Sequence, residues 1–351
     1  MDLTPYLDNA KTFLAQDIII DGRVIPVKYL VATAGAIMGL TAGKVQQTFF
    51  NGARNNSKTL LKGKTVVITG ANDGIGKETA IDLAKRQATV IIACRESKKT
   101  ADALAEIRRA SNNSNVFHEA IDLADLDSVK AFATRYIDSG RPIHILINNA
   151  GIMALPTRRE SKQGYELQFA TNHLSHFLLT ELLLPVIKKS GSARIINVSS
   201  RAMYRGRVNF ADIEFKRDYK NWEVYSQSKL CNVLYSGYLQ RKLNDTDVLV
   251  NACHPGVVRT SLTRYLLDES WYLKPLAASV YPALYFFTKS ATQGAQTQLY
   301  LATSDAINRA NSGEYWADCK VQKGKNKLQH DEDVEDRLYE ISKQFVSKWL
   351  N

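Results

Sequence analysis

The sequence predicts an α/β fold with a doubly wound parallel sheet, preceded by an N-terminal helical or apolar extension. From residue 64 onward, short apolar stretches typical of strands alternate regularly with stretches spaced like helices. A glycine-rich turn separates the first of these strands from the first helix. Near-continuous apolar strands between helices are typical of a parallel sheet that is covered on both faces.

Composition places the chain among ordinary globular proteins. It has 351 residues, of which 45% are hydrophobic and 23% are charged, and this excludes disordered, collagenous and fibrous classes. No two cysteines form a CxxC pair, so thiols in a reducing compartment fit better than a disulfide framework or a zinc ribbon. The four are Cys94, Cys231, Cys253 and Cys319. The net charge of +11 is compatible with an acidic partner surface, either nucleic acid or anionic lipid.

Residues 1–61 form an extension that differs from the rest of the chain. Within it, residues 29–43 are an uncharged run of 15 residues between two lysines, whereas a spanning helix needs about 20 apolar residues. Two interpretations stay open: a buried helix packed on the main domain, and a membrane-anchoring or interfacial segment. Four early acidic residues argue against a secretory or mitochondrial signal. They are Asp2, Asp8, Asp17 and Asp21.

The main domain is predicted to span residues 62–320 as one unit, without internal repeats or a flexible linker. The strands expected in it are 65–69, 89–93, 116–121, 144–148, 194–199 and 248–253. The helices expected between them include 76–86, 97–110 and 169–180. Residues 321–351 are predicted to be a helical tail. Near the end of the chain, a basic stretch at 320–327 and an acidic stretch at 331–340 are expected to form a solvated surface or to pair locally.

The turn after the first strand carries the strongest cofactor signal. Residues 69–76 read TGANDGIG, a spacing that lets the backbone turn tightly, approach a pyrophosphate and direct helix N–H groups at it. Its position between a strand and a helix supports dinucleotide binding. The residues predicted to line this Rossmann-type site are Gly70, Asn72, Gly74, Ile75 and Gly76.

The end of the second strand favours NADP(H) over NAD(H). An NAD site is expected to carry an Asp or Glu there, which binds the ribose 2′-hydroxyl. This chain instead has Cys94 followed by Arg95, and a guanidinium suits a 2′-phosphate. An exposed surface arginine at a strand end is the alternative interpretation.

Tyr225 and Lys229 are four residues apart on a predicted helix and therefore share one face. An ordinary tyrosine has a pKa of about 10, and a neighbouring ammonium, together with the positive nicotinamide of an oxidised cofactor, favours the phenolate. Tyr225 could then give a proton to a carbonyl or take one from an alcohol. The spacing alone is common, but its position between the fifth and sixth strands supports a catalytic role.

Two further polar positions belong to the candidate site. Ser199 and Ser200 close the fifth strand, where open parallel sheets bind their ligands, so a serine hydroxyl there could bind the substrate oxygen. Capping of the next turn is the alternative. Asn172 lies in a predicted apolar helix and needs a partner if it is buried. A water relay to Lys229 would supply that partner.

These motifs resemble those of the short-chain dehydrogenase/reductase family over about residues 62–320. The matching pieces are TGANDGIG (69–76), DLADL (122–126), NNAG (148–151), Asn172, NVSS (197–200), YSQSK (225–229) and HPGVVRT (254–260). By this resemblance, Asn172, Ser200, Tyr225 and Lys229 form the catalytic tetrad. Ser200 is chosen because the family usually uses the second serine of the pair. Tyr225 and Lys229 are also expected to contact the cofactor.

The same resemblance implies three more cofactor contacts. Asp122 would meet the adenine edge, Asn149 the adenine-side ribose, and Thr260 the carboxamide. For Asp122 and Asn149, a structural role in tying strand-end loops together is the alternative.

Finer motifs resemble the retinol dehydrogenase branch of the family. They are ACRE (93–96), FATNHLSHF (169–177), YSQSKLCNVL (225–234) and SGEYWADC (312–319), together with the N-terminal apolar run and the spacing of 25 between Ser200 and Tyr225. The chain departs from that pattern in its long first 64 residues, in Asp73 and in the basic stretch at 320–327. The branch implies NADP(H)-dependent interconversion of a lipophilic alcohol and its aldehyde or ketone. The alternatives are a steroid or general carbonyl reductase and a catalytically silent NADP-binding regulatory protein.

Other ligand classes are not expected. His173 and His176 are three residues apart, but no third ligand has a suitable spacing, so a helix-face role is predicted and no metal site. The basic residues are scattered apart from four lysines within 320–327, and no aromatic residues interleave them, so nucleic-acid binding is not predicted.

Two apolar runs bear on the substrate and on location. The family resemblance implies that the region after the sixth strand covers the substrate, so the uncharged run at 275–288 is expected to form an apolar lid. Together with residues 29–43 and the positive net charge, it predicts an enzyme on a cytosol-facing membrane surface, with the endoplasmic reticulum as the expected compartment. A cytoplasmic protein is the alternative, and a homodimer is left open.

Overall fold

The computed structural model describes residues 52–259 and 288–350, together with the backbone of 17–20 and 23–26. The chain divides into two compact units, Met1–Gly52 and Ala53–Asn351. In the first unit, β1 (Asp17–Ile20) and β2 (Arg23–Pro26) form an antiparallel ribbon in which Ile20 lies opposite Arg23. These residues of the helical or apolar extension are therefore strands and not helix. The Asp-Gly pair between two β-branched runs is a two-residue hairpin signal that could have predicted the ribbon.

The second unit contains the predicted doubly wound sheet. Its described strands are β3 (Thr65–Thr69), β4 (Thr89–Cys94), β5 (Val116–Ala120), β6 (Ile145–Asn148), β7 (Ala193–Val198), β8 (Val248–His254), β9 (Tyr315–Ala317) and β10 (Lys320–Val321). Across the sheet they run in the order β10-β9-β8-β7-β6-β3-β4-β5. Every pair of neighbouring strands is parallel except β9 with β10. The six strands predicted from the sequence are present, whereas β9 and β10 were missed because they are only three and two residues long.

Helices cover both faces of this sheet. The described α-helices are α1 (Gly74–Lys85), α2 (Lys98–Ser111), α3 (Leu126–Asp138), α4 (Leu167–Phe169), α5 (Ser175–Lys189), α6 (Asn221–Lys242), α7 (Ala291–Gly294), α8 (Gln296–Thr303) and α9 (Glu332–Leu350). A π-helical turn, Ala170–Leu174, joins α4 to α5. The helices that follow β3, β4 and β5 each begin at a side-chain cap, supplied by Asp73, Ser97 and Asp125.

The alternation of strand side chains divides the core between the two faces. Val66 and Ile68 of β3 belong to a buried cluster with the residues of α1 and α8. Val67, between them, belongs to a second cluster with the residues of α3, α5, α6 and α9. Successive side chains of a strand point to opposite faces, and every residue of β3 is buried, so helices pack on both sides of the strand.

The C-terminal helix α9 is part of the second core cluster. Leu338, Val346 and Trp349 are buried in it, and the Trp349 indole N–H donates to Asp127 Oδ1 at 2.7 Å. Glu335 departs from the expected solvated acidic surface, because it is buried and Arg241 of α6 donates to its Oε2. Burial raises the pKa of Glu335 to about 7.

The two apolar runs of the sequence lie almost entirely outside the residues that the structure describes. Residues 29–43, and all of 275–288 except Thr288, lie outside the described residues. Across the described part of the chain, none of the helices combines the length and the apolar character that crossing a membrane requires.

Candidate active site

The candidate site lies at the carboxyl edge of the sheet, where the strand order reverses. β3 has β4 on one side and β6 on the other, so the loops that follow β3 and β6 leave the sheet toward opposite faces. Ligands of open α/β sheets bind in the crevice at such a reversal. The glycine turn follows β3, Asn149 follows β6 and Ser200 follows β7, so these predicted residues share one edge.

The glycine turn is shaped by contacts that exclude side chains. Gly70 has a φ of +67°, and a Cβ there would lie 2.8 Å from the Cβ of Ala150. A Cβ on Gly76 would lie 2.5 Å from Asn149 Nδ2 and 2.6 Å from the carbonyl oxygen of Gly70. The backbone therefore packs tightly, and α1 begins at Gly74 with its N–H groups at the turn. This bare backbone fits the pyrophosphate of a dinucleotide.

Asp73, the residue that departs from the branch pattern, caps α1. Its Oδ1 accepts a hydrogen bond from the N–H of Gly74 at 2.7 Å. Its Oδ2 is 2.5 Å from Lys99 Nζ, in an ion pair with the first turn of α2. Lys99 thus partly neutralises a carboxylate that would otherwise repel a bound phosphate.

The loop after β4 is tied to the glycine turn through Thr100. The Thr100 hydroxyl donates to the carbonyl oxygen of Arg95 at 2.7 Å and accepts from Asn72 Nδ2 at 2.9 Å. The backbone of Arg95 is therefore held while its side chain is exposed. The guanidinium is available to an anionic group at this end of the site.

Asp122 and Asn149 make the structural contacts that the sequence analysis gave as their alternative role. Asn149 Nδ2 donates to the carbonyl oxygen of Thr69 at 2.9 Å, and this ties the ends of β3 and β6 together. Asp122 Oδ1 accepts from the N–H of Ala124 at 2.9 Å in the turn after β5. Both residues are half-buried. Thr260 lies outside the described residues.

The predicted tetrad residues Ser200, Tyr225 and Lys229 converge at the ends of β7 and α6. Tyr225 and Lys229 are both buried on one face of α6, and Lys229 Nζ is 5.9 Å from the centroid of the Tyr225 ring. The side chain of Ser200 lies close enough to Tyr225 to lower the pKa of its phenol. Lys229 Nζ donates to the carbonyl oxygen of Val198 at 3.1 Å.

The two neighbouring serines have different partners. Ser199 Oγ donates to the carbonyl oxygen of Lys229 at 2.6 Å, which commits its hydroxyl to the backbone of α6. Ser200 Oγ accepts from the N–H of Ala202 at 3.2 Å, and its side chain lies near Tyr225, whose pKa it lowers. Ser200 is therefore the serine of the pair that faces the tyrosine.

Burial sets the ionisation of the two central groups. Desolvation raises the pKa of Tyr225 to about 12, although the neighbouring Ser200 side chain opposes the shift. Desolvation lowers the pKa of Lys229 to about 8. At neutral pH the phenol therefore keeps its proton and can donate it, while the nearby ammonium favours the phenolate that remains after donation.

Asn172 lies in the π-helical turn, which the sequence analysis predicted as an ordinary helix. Its Oδ1 accepts from the N–H of Ile152 at 2.9 Å, and its Nδ2 donates to the carbonyl oxygen of Ile152 and to Ser228 Oγ. These direct contacts pair both polar atoms of the Asn172 side chain, and the water relay to Lys229 stays a prediction. π-Helical turns are frequent at functional sites.

Gly151 allows Asn172 and Lys229 to approach each other. A Cβ on Gly151 would lie 3.1 Å from Asn172 Oδ1 and 3.3 Å from Lys229 Nζ. A side chain at this position would intrude between the two groups. The NNAG motif therefore has a local steric reason for its glycine.

His176, for which the sequence predicts only a helix-face role, belongs to the hydrogen-bond network behind the site. Its Nδ1 is 3.1 Å from the carbonyl oxygen of Asn172 and its Nε2 is 2.9 Å from Thr69 Oγ1. A carbonyl oxygen only accepts, so Nδ1 carries the proton and the Thr69 hydroxyl donates to Nε2. Burial lowers the pKa of His176 to about 3, so the ring is neutral. The pairing of two residues 107 positions apart could not be found from the sequence alone.

His173, the other histidine of that motif, is also buried and hydrogen-bonded. Its Nε2 is 2.9 Å from Ser342 Oγ of α9 and its Nδ1 is 3.4 Å from Asn232 Oδ1. Among the described residues, no three or more His, Cys, Asp or Glu side chains are grouped as metal ligands would be.

The chain is similar in sequence to known dehydrogenases. The sequence profile described as short chain dehydrogenase matches residues 64–271. Mouse (Mus musculus) retinol dehydrogenase 12 is 41% identical over 310 residues, 88% of this chain and 93% of that protein. Human (Homo sapiens) retinol dehydrogenase 13 is 39% identical over 325 residues, 92% of this chain and 95% of that protein.

Solved structures share the fold. The crystal structure of an uncharacterized protein from Mycobacterium paratuberculosis is 32% identical, with a TM-score of 0.65 over 84% of this chain and 98% of its own. Pseudomonas aeruginosa RhlG, in an active-site complex with NADP, is 23% identical, with a TM-score of 0.56 over 73% of this chain and 94% of its own.

The chain therefore belongs to the short-chain dehydrogenase family. Within that family it falls in the retinol dehydrogenase branch. It is an oxidoreductase that acts on CH–OH donors and uses a nicotinamide cofactor.

Gly76→Ala tests the tight packing of the glycine turn. The added Cβ would collide with the Asn149 amide and the Gly70 carbonyl, and overpacking of this kind costs about 1–3 kcal/mol. Because the turn must shift, we expect the Kd of the nicotinamide cofactor to rise by about 5- to 150-fold in titration calorimetry. Gly140→Ala is the control: a Cβ there meets nothing within 4 Å but is strained by the φ of +65°, so this variant should lose stability without a change in the Kd of the cofactor. Unchanged cofactor affinity in Gly76→Ala would contradict the assignment of the turn.

Proposed function

We propose that the protein is an NADP(H)-dependent oxidoreductase that interconverts a lipophilic alcohol and its aldehyde or ketone, as a retinol dehydrogenase does. The observation that carries the proposal is the group of buried Tyr225 and Lys229 with half-buried Ser200 at the carboxyl edge of the sheet. It combines a protonated phenol, a neighbouring serine hydroxyl, and an ammonium on the same helix face as the phenol.

In the proposed reaction, residues of the chain donate and accept the proton. The nicotinamide, when bound, supplies or accepts the hydride. Tyr225 gives its phenol proton to the carbonyl oxygen during reduction and takes a proton from the hydroxyl during oxidation. Ser200 orients that oxygen through its hydroxyl, and the ammonium of Lys229 stabilises the phenolate. Asn172 holds the backbone of Ile152 in the loop after β6.

The preference for NADP(H) rests on the end of β4. No carboxylate follows the strand directly, because Cys94 is succeeded by Arg95. The exposed Arg95 guanidinium can bind a 2′-phosphate through charge-assisted hydrogen bonds. The ion pair of Lys99 with Asp73 reduces the negative charge at the same end of the site. In this proposal the backbone of the glycine turn binds the pyrophosphate, and the Arg95 guanidinium binds the 2′-phosphate.

The substrate class rests on the relatives, which are named as retinol dehydrogenases. Retinol is a lipophilic alcohol, so we take the natural substrate to be a lipophilic alcohol or its carbonyl form. A panel of aldehydes and ketones that includes all-trans-retinal and steroid ketones, assayed with NADPH, separates this class from a steroid or general carbonyl reductase.

Tyr225→Phe tests the proton donor. The substitution keeps the ring and removes the hydroxyl, and general acid–base catalysis contributes about 10²–10⁴-fold. We therefore expect kcat for carbonyl reduction to fall by at least about 10²-fold, with the Kd of NADPH unchanged. Tyr238→Phe is the matched control, since Tyr238 is a buried tyrosine of the same helix that stacks on Tyr339. Near-normal turnover in Tyr225→Phe would exclude the assigned role.

Arg95→Ala tests the cofactor preference. Hydrogen bonds to charged groups are worth about 1.5–3 kcal/mol, so the Kd of NADPH should rise by about 10- to 150-fold. The Kd of NADH should stay the same, because NADH has no 2′-phosphate. Arg109→Ala, which removes an exposed arginine of α2, is the control. An equal rise in the Kd of NADPH and of NADH would show that Arg95 does not bind the 2′-phosphate.

The proposed location is a cytosol-facing membrane, with the endoplasmic reticulum as the compartment. Its support is the uncharged run at 29–43 and the net charge of +11, which favours anionic lipid. We expect the full chain to sediment with membranes, and a chain that begins at Ser57 to lose that association, when cell lysates are fractionated by high-speed centrifugation. Recovery of the full chain in the supernatant without detergent would contradict this part of the proposal.

A further inference from the structure

Trp222 is an exposed aromatic residue beside the predicted proton donor. It lies in the first turn of α6, three residues before Tyr225. The centroids of the two rings are 6.1 Å apart, and their planes are at 82°, an edge-to-face arrangement. Tyr225 is buried, whereas Trp222 is 48% exposed. A large apolar surface therefore faces solvent next to the tyrosine.

The segment that carries Trp222 is held firmly. Gln168, which is fully buried, donates through Nε2 to the Tyr219 hydroxyl at 3.0 Å and to the carbonyl oxygen of Asn221 at 3.3 Å. The Tyr219 hydroxyl in turn donates to the carbonyl oxygen of Leu155 at 2.8 Å. Asn221 Oδ1 accepts from the N–H of Trp222 at 2.8 Å. The backbone under the indole is thus fixed to the loop after β6, and little conformational freedom remains there to be lost on binding.

The distance to Tyr225 relates this surface to a substrate. A reacting carbonyl oxygen must lie within hydrogen-bond reach, about 2.6–3.2 Å, of the Tyr225 hydroxyl. The centroids of the Tyr225 and Trp222 rings are 6.1 Å apart. A substituent a few bonds long on that carbonyl extends about this far. Part of the substrate beyond the carbonyl can then lie against the indole.

We propose that Trp222 forms an apolar wall of the substrate site and selects planar, conjugated or aromatic carbonyl compounds and alcohols. This inference rests on the proposed function of the same site, and it adds a residue that determines specificity. Aromatic faces attract planar π systems in offset or edge-on arrangements beyond the burial of apolar area. Trp222 would act on substrate affinity and not on the proton transfer, because its indole N–H has no role in that step.

The test compares substrates and variants in NADPH-dependent reduction by the full chain. Cinnamaldehyde and all-trans-retinal carry planar conjugated groups, whereas propanal is too small to reach the indole. Trp222→Ala should raise KM for the two conjugated aldehydes by about 10-fold. Their kcat, and both constants for propanal, should stay within about twofold. Trp222→Phe should retain most of the affinity for the conjugated aldehydes, since it keeps an aromatic ring.

The controls separate this inference from the proposed function. Phe117→Ala removes a similarly exposed aromatic residue, 42% exposed on β5, and should change none of the constants. If wild-type protein reduces the aldehydes and Trp222→Ala leaves KM unchanged, or changes it equally for propanal, the inference is wrong while the proposed function stands. If wild-type protein reduces no member of the panel, the proposed function fails and the inference fails with it.

Discussion

The site depends on the burial of one positive charge at the carboxyl edge of the sheet. Lys229 is only 4% exposed, and a buried ammonium is stable only if polar groups surround it. The carbonyl oxygen of Val198 accepts from its Nζ, and Asn232 Nδ2 donates to the same carbonyl oxygen at 3.3 Å. The end of β7 and the middle of α6 are thereby fixed together. Ser200 follows Val198 by two residues and Tyr225 precedes Lys229 by one turn, so the same contact brings them together.

The residues around the Lys229 ammonium leave the space between it and Asn172 free of other side chains. Gly151 has no side chain to intrude between Asn172 and Lys229. The neutral ring of His176 joins the carbonyl oxygen of Asn172 to the Thr69 hydroxyl, which also accepts from the N–H groups of Asn149 and Ala150. The π-helical turn, the end of β3 and the end of β6 are therefore connected by one network. Buried polar networks that are fully paired make a local structure rigid.

Much of this arrangement could be predicted from the sequence, and the reasons are physical. The period of the apolar stretches predicts the parallel sheet, and the glycine turn and the Tyr225–Lys229 spacing predict which strand ends carry chemistry. The parts that could not be predicted depend on tertiary contacts. The widened turn at Asn172 has no local sequence signal, and the pairs His176 with Thr69 and His173 with Ser342 join distant positions. The β9 and β10 strands are too short to show a period.

In the proposed reaction, Tyr225, next to a buried ammonium, is the proton donor. The pH dependence of kcat/KM in both directions tests this role most directly between about pH 5 and 7, where the phenol is protonated and Lys229 keeps its charge. A protein proton donor predicts a constant kcat/KM for carbonyl reduction and a kcat/KM for alcohol oxidation that rises about tenfold per pH unit. A reduction rate that falls about tenfold per unit, with a constant oxidation rate, would mean that the proton comes from solvent and would contradict the account.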